Sequence, residues 1–327
     1  MDHHIVFLDD EGIGPTVTLP QLPFSHQWTS YRYTQPEQVI ERLQNATVAL
    51  TCSVPLRKEH LMQLPKLKMI SLALTGTDIV DLDYCHEHGI MVTNVPAYAQ
   101  NTVAEHVIGM IFSLMRQHDN YHNLLKKVTR GEAEPQNIYF DYRIRDVRGQ
   151  KLGIIGHGAI ARRLAELARA VGMQPRFFDR HGKYKGEEFA SFQQILSESD
   201  VISLCCSLTP ETLNLIDHAE LSQMKSDAIL INTARGGIVN EQALIKALQT
   251  GQIGGAGLDV VVNEPIHPDD PLFQLIDYPN FILNPHVAWS SEDAMQGLIN
   301  RSIENIIDFV RGEIPLSVIQ KEITCQA

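Results

Sequence analysis

Three polar residues with useful chemistry each stand just after a short apolar run in the second half of the chain. They are Arg235, Glu264 and His286. If the apolar runs are parallel strands, their carboxyl ends meet at one edge of the sheet, which is where ligands bind in such folds. A guanidinium binds anions, and an imidazole changes its charge near neutral pH. The sequence therefore predicts that a cation, a carboxylate and an imidazole converge on one binding edge.

Each of these residues could instead have a purely structural role. Arg235 could cap a helix or pair at the surface, but the two glycines after it can bring backbone close to a ligand, which favours binding. Glu264 could equally be a solvated turn carboxylate. His286 is one of 14 histidines, but Pro285 places it at the end of a strand. Asp259 is predicted to lie inside an apolar strand, where a carboxylate is costly unless hydrogen-bonded, so it is a further candidate.

The stretch Lys151–Asp179 has the spacing of a dinucleotide-binding unit. It predicts a strand, a glycine turn, a helix and a second strand that ends at an acidic residue. Gly156 permits the tight turn, and Gly158 lets the backbone approach a pyrophosphate. Ala161 replaces the third glycine at a position that only needs to be small. A glycine turn before an ordinary helix is the alternative, but the flanking strands and Asp179 favour a bound cofactor.

The same unit predicts which cofactor is bound. The helix N-terminus at Ala159 and Ile160 offers unpaired N–H groups and a positive dipole end to a pyrophosphate. Asp179 can accept hydrogen bonds from ribose hydroxyls, and it would repel a 2′-phosphate. We therefore expect NAD rather than NADP, although the adjacent Arg180 could bind that phosphate.

The elements that must position these residues follow an α/β rhythm along the whole chain. The first hundred residues predict a small flavodoxin-like domain, and the chain from Lys151 predicts a six-stranded doubly wound sheet of the Rossmann type. The other predicted strands are His4–Leu8, Ala46–Leu50, Met69–Leu74, Ile90–Val92, Val201–Leu204, Ala228–Ile231, Gly257–Val262 and Phe281–Leu283.

The predicted domains are a substrate-binding domain formed by residues 1–101 and 291–327, and an NAD-binding domain formed by residues 102–290. A capping box at Thr102 and Glu105 predicts the start of a long helix between them. Residues 118–149 are polar and irregular, so they are either a linker or an arm that grips a second subunit, and the apolar residues Ile138 and Phe140 favour an arm. A last helix, about Ser291 to Val310, should cross back onto the first domain.

The composition argues against several kinds of partner. There are 39 acidic and 27 basic residues, a net charge of −12, and no long basic run, so we expect neither nucleic acid nor an anionic membrane surface. The N-terminus shows no secretion signal, and no stretch resembles a membrane span, so we expect a cytoplasmic protein. The cysteines are not spaced as a disulfide framework or a metal site, and we expect them to be reduced: Cys52, Cys85, Cys205, Cys206 and Cys325.

Seven stretches along the chain resemble motifs of the D-isomer-specific 2-hydroxyacid dehydrogenases. They cover nearly its whole length, and they are LTGTDIVDL at Leu74–Leu82, NVPAYAQNTVAEHVIGMIFSLMR at Asn94–Arg116, LGIIGHGAIA, SLTPET at Ser207–Thr212, INTARGGIVNEQAL, GLDVVVNEP and NPHVAW. Through FDYRIRDVRG and HVAWS, the chain is most similar to the NAD-dependent glycerate dehydrogenases of this family, also called hydroxypyruvate reductases.

The resemblance implies roles for the candidate residues. Arg235 would bind the carboxylate and the ketone oxygen of the substrate, His286 would be the general acid–base, and Glu264 would hold its imidazole. Backbone amides from Leu74 to Gly76 would hold the carboxylate from the other domain. The family also implies a dimer.

The resemblance implies further cofactor contacts as well. Beyond the dinucleotide unit, these are Thr75, Thr102, Cys205, Cys206, Thr233, Ala234, Arg235, Asp259 and His286, with Asp259 at the nicotinamide end. The chain departs from the family pattern at Ala161, at Cys205-Cys206-Ser207, where proline is common, and at Asn284, where threonine is common.

The expected function is hydride transfer between NADH and a small 2-keto acid of the hydroxypyruvate or glyoxylate type, in a cleft that closes between domains. The product would be the D-2-hydroxy acid, and no metal is expected. Two alternatives remain. One is a dinucleotide-sensing protein of the corepressor kind, because the fold alone does not decide function. The other is a different family member, such as a phosphoglycerate dehydrogenase.

Overall fold

The chain folds into two α/β units, and the computed structural model describes residues 3–319. One unit contains the chain up to Tyr98 and the chain from Ser290 onward, and the other is Ala99–Trp289. Cys325 and the end of the 291–327 segment lie outside the described residues. Within the described part, no helix is long and apolar enough to cross a membrane.

The first unit is built on a five-stranded parallel sheet with the order β2-β1-β3-β4-β5. This is the flavodoxin-like strand order, so the predicted fold class is confirmed. The elements before Tyr98 are strands β1 (His3–Phe7), β2 (His26–Ser30), β3 (Val48–Thr51), β4 (Met69–Leu72) and β5 (Met91–Thr93), and helices α1 (Val39–Leu43), α2 (Lys58–Leu61) and α3 (Leu82–Glu87). Two 3₁₀ turns, Asp10–Gly12 and Pro36–Gln38, also belong to it.

Strand β2 was missed by the sequence reasoning. Its sequence, HQWTS, carries no apolar run, and it pairs only with β1 at the edge of the sheet. An edge strand needs only part of its surface in the core, and here the ring of Trp28 packs edge-on against Phe7 with centroids 6.4 Å apart. Hydrophobic periodicity therefore does not reveal this strand.

The second unit contains a six-stranded parallel sheet with the order β11-β10-β9-β8-β6-β7, which confirms the predicted Rossmann-type architecture. Its strands are β6 (Lys151–Ile155), β7 (Gln174–Phe178), β8 (Val201–Leu204), β9 (Ile229–Asn232), β10 (Gly255–Leu258) and β11 (Phe281–Leu283). Its helices are α4 (Gln100–Arg116), α5 (His118–Thr129), α6 (Ala159–Ala170), α7 (Phe192–Glu198), α8 (His218–Gln223) and α9 (Glu241–Gln249), with a 3₁₀ helix at Pro271–Leu275. Strand β10 ends before Asp259, so the prediction that this aspartate lies inside a strand was wrong.

Two predictions about the chain from Thr102 to residue 149 were also wrong. Helix α4 starts at Gln100 with Ala99 as its N-cap, so Thr102 is already in the first turn and forms no capping box. Its hydroxyl instead donates to the carbonyl of Ala288 at 3.2 Å. The segment predicted to be irregular begins with the twelve-residue helix α5, which buries Leu124. Residues 130–150 contain no helix or strand.

The last helix, α10 (Glu292–Arg311), returns the chain to the first unit. The hydroxyl of Ser291 accepts a hydrogen bond from the amide of Ala294 and caps the helix. Its apolar face packs in one buried cluster with residues of β1, β3 and β4, and the helix contributes Leu298, Ile299, Ile303 and Ile306. The unit therefore has helices on both sides of its sheet, as a doubly wound fold requires.

Candidate active site

The glycine turn lies where the strand order of the second sheet reverses. Strand β6 is flanked by β7 on one side and β8 on the other, and ligands of open α/β sheets bind at such a reversal. Gly156 has a φ of 117°, and a Cβ at this residue would lie 2.4 Å from the carbonyl oxygen of Cys205. Only glycine fits this turn, for both reasons.

The N-terminus of α6 faces open space. Gly158 is its N-cap, no side chain of the described residues caps the helix, and a Cβ on Gly158 would meet no atom within 4 Å. The N–H groups of the first turn, which begins with Ala159 and Ile160, are thus left for an anion. Ala161 is fully buried against the strands, which agrees with its predicted role as a small packing residue. The turn fits the pyrophosphate of a dinucleotide.

Asp179 follows β7 with its carboxylate held by its own loop. It accepts hydrogen bonds from the amides of Tyr184 at 2.9 Å and His181 at 3.3 Å. The Tyr184 amide is the main cause of a lowered pKa at Asp179, so this group stays negative. The guanidinium of Arg180 donates to the carbonyl of Glu211 at 2.6 Å. The charged carboxylate of Asp179 can therefore accept hydrogen bonds from ribose hydroxyls, and the neighbouring Arg180 already has a hydrogen-bond partner.

The cysteine pair after β8 is not activated. Burial raises the pKa of Cys205 to about 12, and burial also raises the pKa of Cys206. Because the thiolate is the reactive form, both thiols are poor nucleophiles near neutral pH. The backbone of both cysteines lies beside the glycine turn, because a Cβ at Gly156 would lie 2.4 Å from the carbonyl oxygen of Cys205 and 3.3 Å from the amide nitrogen of Cys206.

The Arg235 loop is fixed by a residue that the sequence reasoning missed. Buried Asn232, the last residue of β9, accepts from the amide of Ala234 at 3.0 Å and donates to the carbonyl of Arg235 at 2.9 Å. The Asn232 side chain thus bonds to the backbone on the far side of Thr233. A Cβ on Gly236 would lie 1.9 Å from the carbonyl oxygen of Val261, so the loop packs directly on neighbouring backbone. No carboxylate among residues 3–319 pairs with the exposed guanidinium of Arg235, which leaves its charge for a ligand.

The structure brings His286 and Glu264 into contact. Nδ1 of His286 lies 2.7 Å from Oε2 of Glu264, and Oε1 of Glu264 accepts a hydrogen bond from the amide of Val261 at 3.1 Å. The carboxylate is thus anchored on one oxygen and holds the imidazole with the other. Both side chains remain more than one-third exposed. The second ring nitrogen of His286 can therefore exchange a proton with a bound molecule.

Asp259 holds the backbone that carries His286. His286 has a left-handed φ of 53°, and its amide donates to the carbonyl of Asp259 at 2.8 Å. The fully buried carboxylate of Asp259 accepts from the amides of Val287 and Ala288, both at 2.9 Å. Trp289 donates its indole N–H to the carbonyl of His286 at 2.9 Å, a contact that sequence reasoning did not foresee. These bonds stabilise a backbone conformation that is uncommon for a residue other than glycine.

Helix α4 contacts the same turn with two residues one helical turn apart. Thr102 bonds to Ala288, and Nε2 of His106 lies 3.7 Å from a carboxylate oxygen of Asp259. The latter contact was also missed, because the sequence does not show that the two elements are neighbours. Thr102 therefore lies beside the candidate site.

The predicted substrate loop, Leu74–Gly76, lies in the first unit directly after β4. The carbonyl of Leu74 accepts from the amide of Val95 at 3.0 Å, and the hydroxyl of Thr75 donates to the carbonyl of Val95 at 3.0 Å. Asn94 donates to the carbonyl of Thr75 at 2.6 Å. The loop is thus pinned to the chain that follows β5.

Comparison with known proteins shows which family the chain resembles. The sequence profile of the D-isomer specific 2-hydroxyacid dehydrogenase family, NAD binding domain, matches residues 108–288. The chain is 44% identical to a glycerate dehydrogenase from Methylorubrum extorquens, over 98% of this chain and all of that protein. It is 31% identical to a hydroxypyruvate reductase from Blautia hydrogenotrophica, over 88% of this chain and 89% of that protein. The structure of a D-lactate dehydrogenase with NAD+ from Lactobacillus jensenii is similar, with a TM-score of 0.80, 25% identity, and coverage of 97% of this chain and all of that one.

Proposed function

The chain belongs to the D-isomer-specific 2-hydroxyacid dehydrogenases, and we propose that its substrate is a small 2-keto acid of the hydroxypyruvate or glyoxylate type. The enzyme reduces a 2-keto acid to the D-2-hydroxy acid with NADH. Full-length similarity to a glycerate dehydrogenase and similarity to a hydroxypyruvate reductase support hydroxypyruvate. The proposed reaction rests on one observation above all, the contact between His286 and Glu264.

In this proposal the chain provides positioning and a proton, while bound NADH supplies the hydride. Arg235 binds the carboxylate of the substrate and its carbonyl oxygen, since a guanidinium offers several N–H donors in one plane. His286 donates a proton to the oxygen of the carbonyl as the carbon accepts the hydride, and the imidazole is then neutral. In the oxidation direction the neutral imidazole accepts that proton. Each cycle therefore balances one hydride and one proton.

Glu264 and Asp259 have separate tasks in this mechanism. Glu264 holds Nδ1, which leaves Nε2 as the nitrogen that carries the transferred proton. Asp259 holds the turn after His286, and so acts through backbone rather than on the proton. The amides of Leu74, Thr75 and Gly76 are proposed as further ligands of the substrate carboxylate. Residues Thr75, Thr102, Cys205, Cys206, Thr233 and Ala234 are proposed as cofactor contacts, beside the glycine turn, Asp179 and Arg180.

A keto-acid panel tests the substrate proposal. The enzyme is mixed with NADH and with hydroxypyruvate, glyoxylate, pyruvate, phosphohydroxypyruvate or a branched 2-keto acid, and loss of NADH absorbance is followed. We expect the highest kcat/KM with hydroxypyruvate or glyoxylate, and the His286→Gln variant controls for background oxidation. Preference for phosphohydroxypyruvate would indicate a phosphoglycerate dehydrogenase. Turnover of none of them would favour the dinucleotide-sensing alternative.

We also propose that the enzyme is a homodimer that grips its partner with residues 118–149. The most exposed large apolar side chains of this segment are Phe140 at 87% and Ile138 at 66%. Exposed apolar groups in one short segment are typical of a contact surface. The proposed NAD-binding domain is 102–290, inserted in a substrate-binding domain of residues 1–101 and 291–327. We place the enzyme in the cytoplasm, because Cys52, Cys85, Cys205 and Cys206 are free thiols, as expected in a reducing compartment.

A further inference from the structure

The histidine between the two glycines of the cofactor turn is packed among aromatic rings. The ring of His157 meets Phe177 at 4.7 Å between centroids, Tyr184 at 4.4 Å and Phe189 at 5.0 Å. Its Nδ1 is buried and has no hydrogen-bond partner in the described part of the chain. The ring therefore contributes by packing on its neighbours, with planes at 58° to 79° to them.

Two of these rings belong to the segment that follows Asp179, which we call the ribose loop (residues 180–189). Its far end is tied to β7, because the amide of Phe177 donates to the carbonyl of Glu188 at 2.8 Å and Phe189 forms an isolated bridge with Phe177. Tyr184, in the middle of the loop, is 40% exposed and stacks on Phe189 at 6.0 Å. The ring of His157 contacts both rings, at 4.4 Å from Tyr184 and 5.0 Å from Phe189 between centroids.

The ribose loop in turn orients Asp179. The amide of Tyr184 donates to a carboxylate oxygen of Asp179 at 2.9 Å. A displacement of Tyr184 would therefore move a donor away from the acid that accepts the ribose hydroxyls. Two contacts therefore connect the glycine turn to Asp179: the ring of His157 packs on the ring of Tyr184, and the amide of Tyr184 donates to the carboxylate.

We propose that His157 is a positioning residue for NADH, whose ring holds the ribose loop closed and so fixes Asp179 for the adenosine ribose. The side chain lies at the adenosine half of the cofactor site, so it has no part in proton or hydride transfer. Loss of a well-packed aromatic contact changes an equilibrium by up to roughly tenfold. The effect should therefore be on cofactor affinity and on the choice between NADH and NADPH, and not on kcat.

The test compares His157→Ala with His157→Phe in the full-length enzyme. Phenylalanine keeps an aromatic ring, slightly larger than imidazole, and removes both ring nitrogens, one of which has no partner among residues 3–319. We expect the alanine variant to raise the Kd of NADH by about tenfold and to narrow the preference for NADH over NADPH. Both kcat at saturating NADH and KM for the keto acid should stay within about twofold, and the phenylalanine variant should bind NADH within about twofold of the wild type.

A double-mutant cycle with Tyr184→Ala tests whether His157 acts on NADH affinity through Tyr184. The cycle remains informative if His157→Ala also lowers the melting temperature, because it compares the double variant with both single variants. If His157 acts through Tyr184, the double variant should bind NADH no more weakly than the weaker single variant. Wild-type NADH affinity in His157→Ala, failure of phenylalanine to restore affinity, or fully additive losses would each overturn the proposal. A fall in kcat with unchanged Kd would overturn it too, and none of these outcomes depends on which keto acid is the substrate.

Discussion

Oε2 of Glu264 lies 2.7 Å from Nδ1 of His286, while its other oxygen accepts the amide of Val261 at 3.1 Å. A carboxylate held in this way cannot rotate freely, so it fixes both the ring orientation and the tautomer of the imidazole. The peptide that carries the imidazole is fixed separately by Asp259. In the proposed mechanism, proton transfer depends on Glu264 and backbone geometry depends on Asp259, so the two substitutions should have different effects.

Removal of the imidazole should impair the chemical step and spare cofactor binding. We expect His286→Gln to lower kcat by roughly 10²–10⁴, because the developing alkoxide loses its proton donor. The Kd of NADH should change little, since the substitution leaves the glycine turn and Asp179 intact. Stopped-flow reduction and NADH titration measure the two quantities. A variant with near wild-type kcat would show that another group supplies the proton.

Arg235→Lys should impair both binding and turnover. The lysine keeps the positive charge but loses the planar donors that can bind a carboxylate and a carbonyl together. We expect KM for the keto acid to rise and kcat to fall, because the orientation of the carbonyl is part of the reaction. Arg235→Ala is the matched variant that also removes the charge, and it should be worse in KM. An unchanged kcat in the lysine variant would limit Arg235 to binding the carboxylate.

The preference for NADH over NADPH should exceed tenfold in kcat/KM, because Asp179 repels a 2′-phosphate. The Tyr184 amide lowers the pKa of Asp179, so the carboxylate is charged at neutral pH. Asp179→Ser should lower the ratio of kcat/KM for NADH to that for NADPH. Arg180→Ala should leave this ratio unchanged, since the guanidinium of Arg180 is bonded to the carbonyl of Glu211. Better turnover with NADPH in the wild type would show that Arg180 dominates.

The enzyme should be a dimer in solution. Light scattering at micromolar concentration should give twice the 36.7 kDa mass of one chain. Phe140→Ser should shift the protein toward the monomer, because Phe140 is 87% exposed and such a ring is covered in a dimer contact. Ile314→Ser, at a residue 79% exposed outside the arm, is the control and should leave the mass unchanged. A monomeric wild-type protein would contradict the proposal that residues 118–149 contact a second subunit.

Much of the fold could be predicted because buried parallel strands are continuous apolar runs. The predicted strands Val201–Leu204 and Phe281–Leu283 have the observed bounds. Strand β2 could not be predicted, since an edge strand needs no such run. The cap at Thr102 was predicted from a local pattern, but its hydroxyl bonds to Ala288, which is distant in sequence. A tertiary contact of this kind overrides a local signal.

In the candidate site, too, local sequence patterns point to some residues and long-range contacts determine others. Arg235, Glu264 and His286 could be proposed from the sequence because they follow strands whose carboxyl ends share one edge. The residues that support them, such as Asn232 and Trp289, act on backbone atoms through contacts that no spacing rule describes. The packing of His157 was invisible for the same reason, because its partner Tyr184 lies in a polar loop.

Glu264→Gln is the sharpest test of the central pair. The carboxylate only accepts hydrogen bonds, so it holds Nδ1 of His286 as a donor and leaves Nε2 to carry the transferred proton. A glutamine amide can also donate to Nδ1, so it no longer fixes this tautomer. We expect an active variant whose kcat for keto-acid reduction falls while the Kd of NADH is unchanged, as measured by steady-state assays and NADH titration.

Oxidation of the D-2-hydroxy acid provides the internal control for this effect. In that direction Nε2 accepts the proton, so kcat for oxidation should fall in the same variant. Asp259→Asn is the matched comparison, because it disturbs the turn after His286 and should lower kcat while Glu264 keeps its contact with Nδ1. A wild-type kcat for Glu264→Gln in both directions would contradict the role of Glu264. The group that fixes the tautomer of the imidazole would then have to come from another residue.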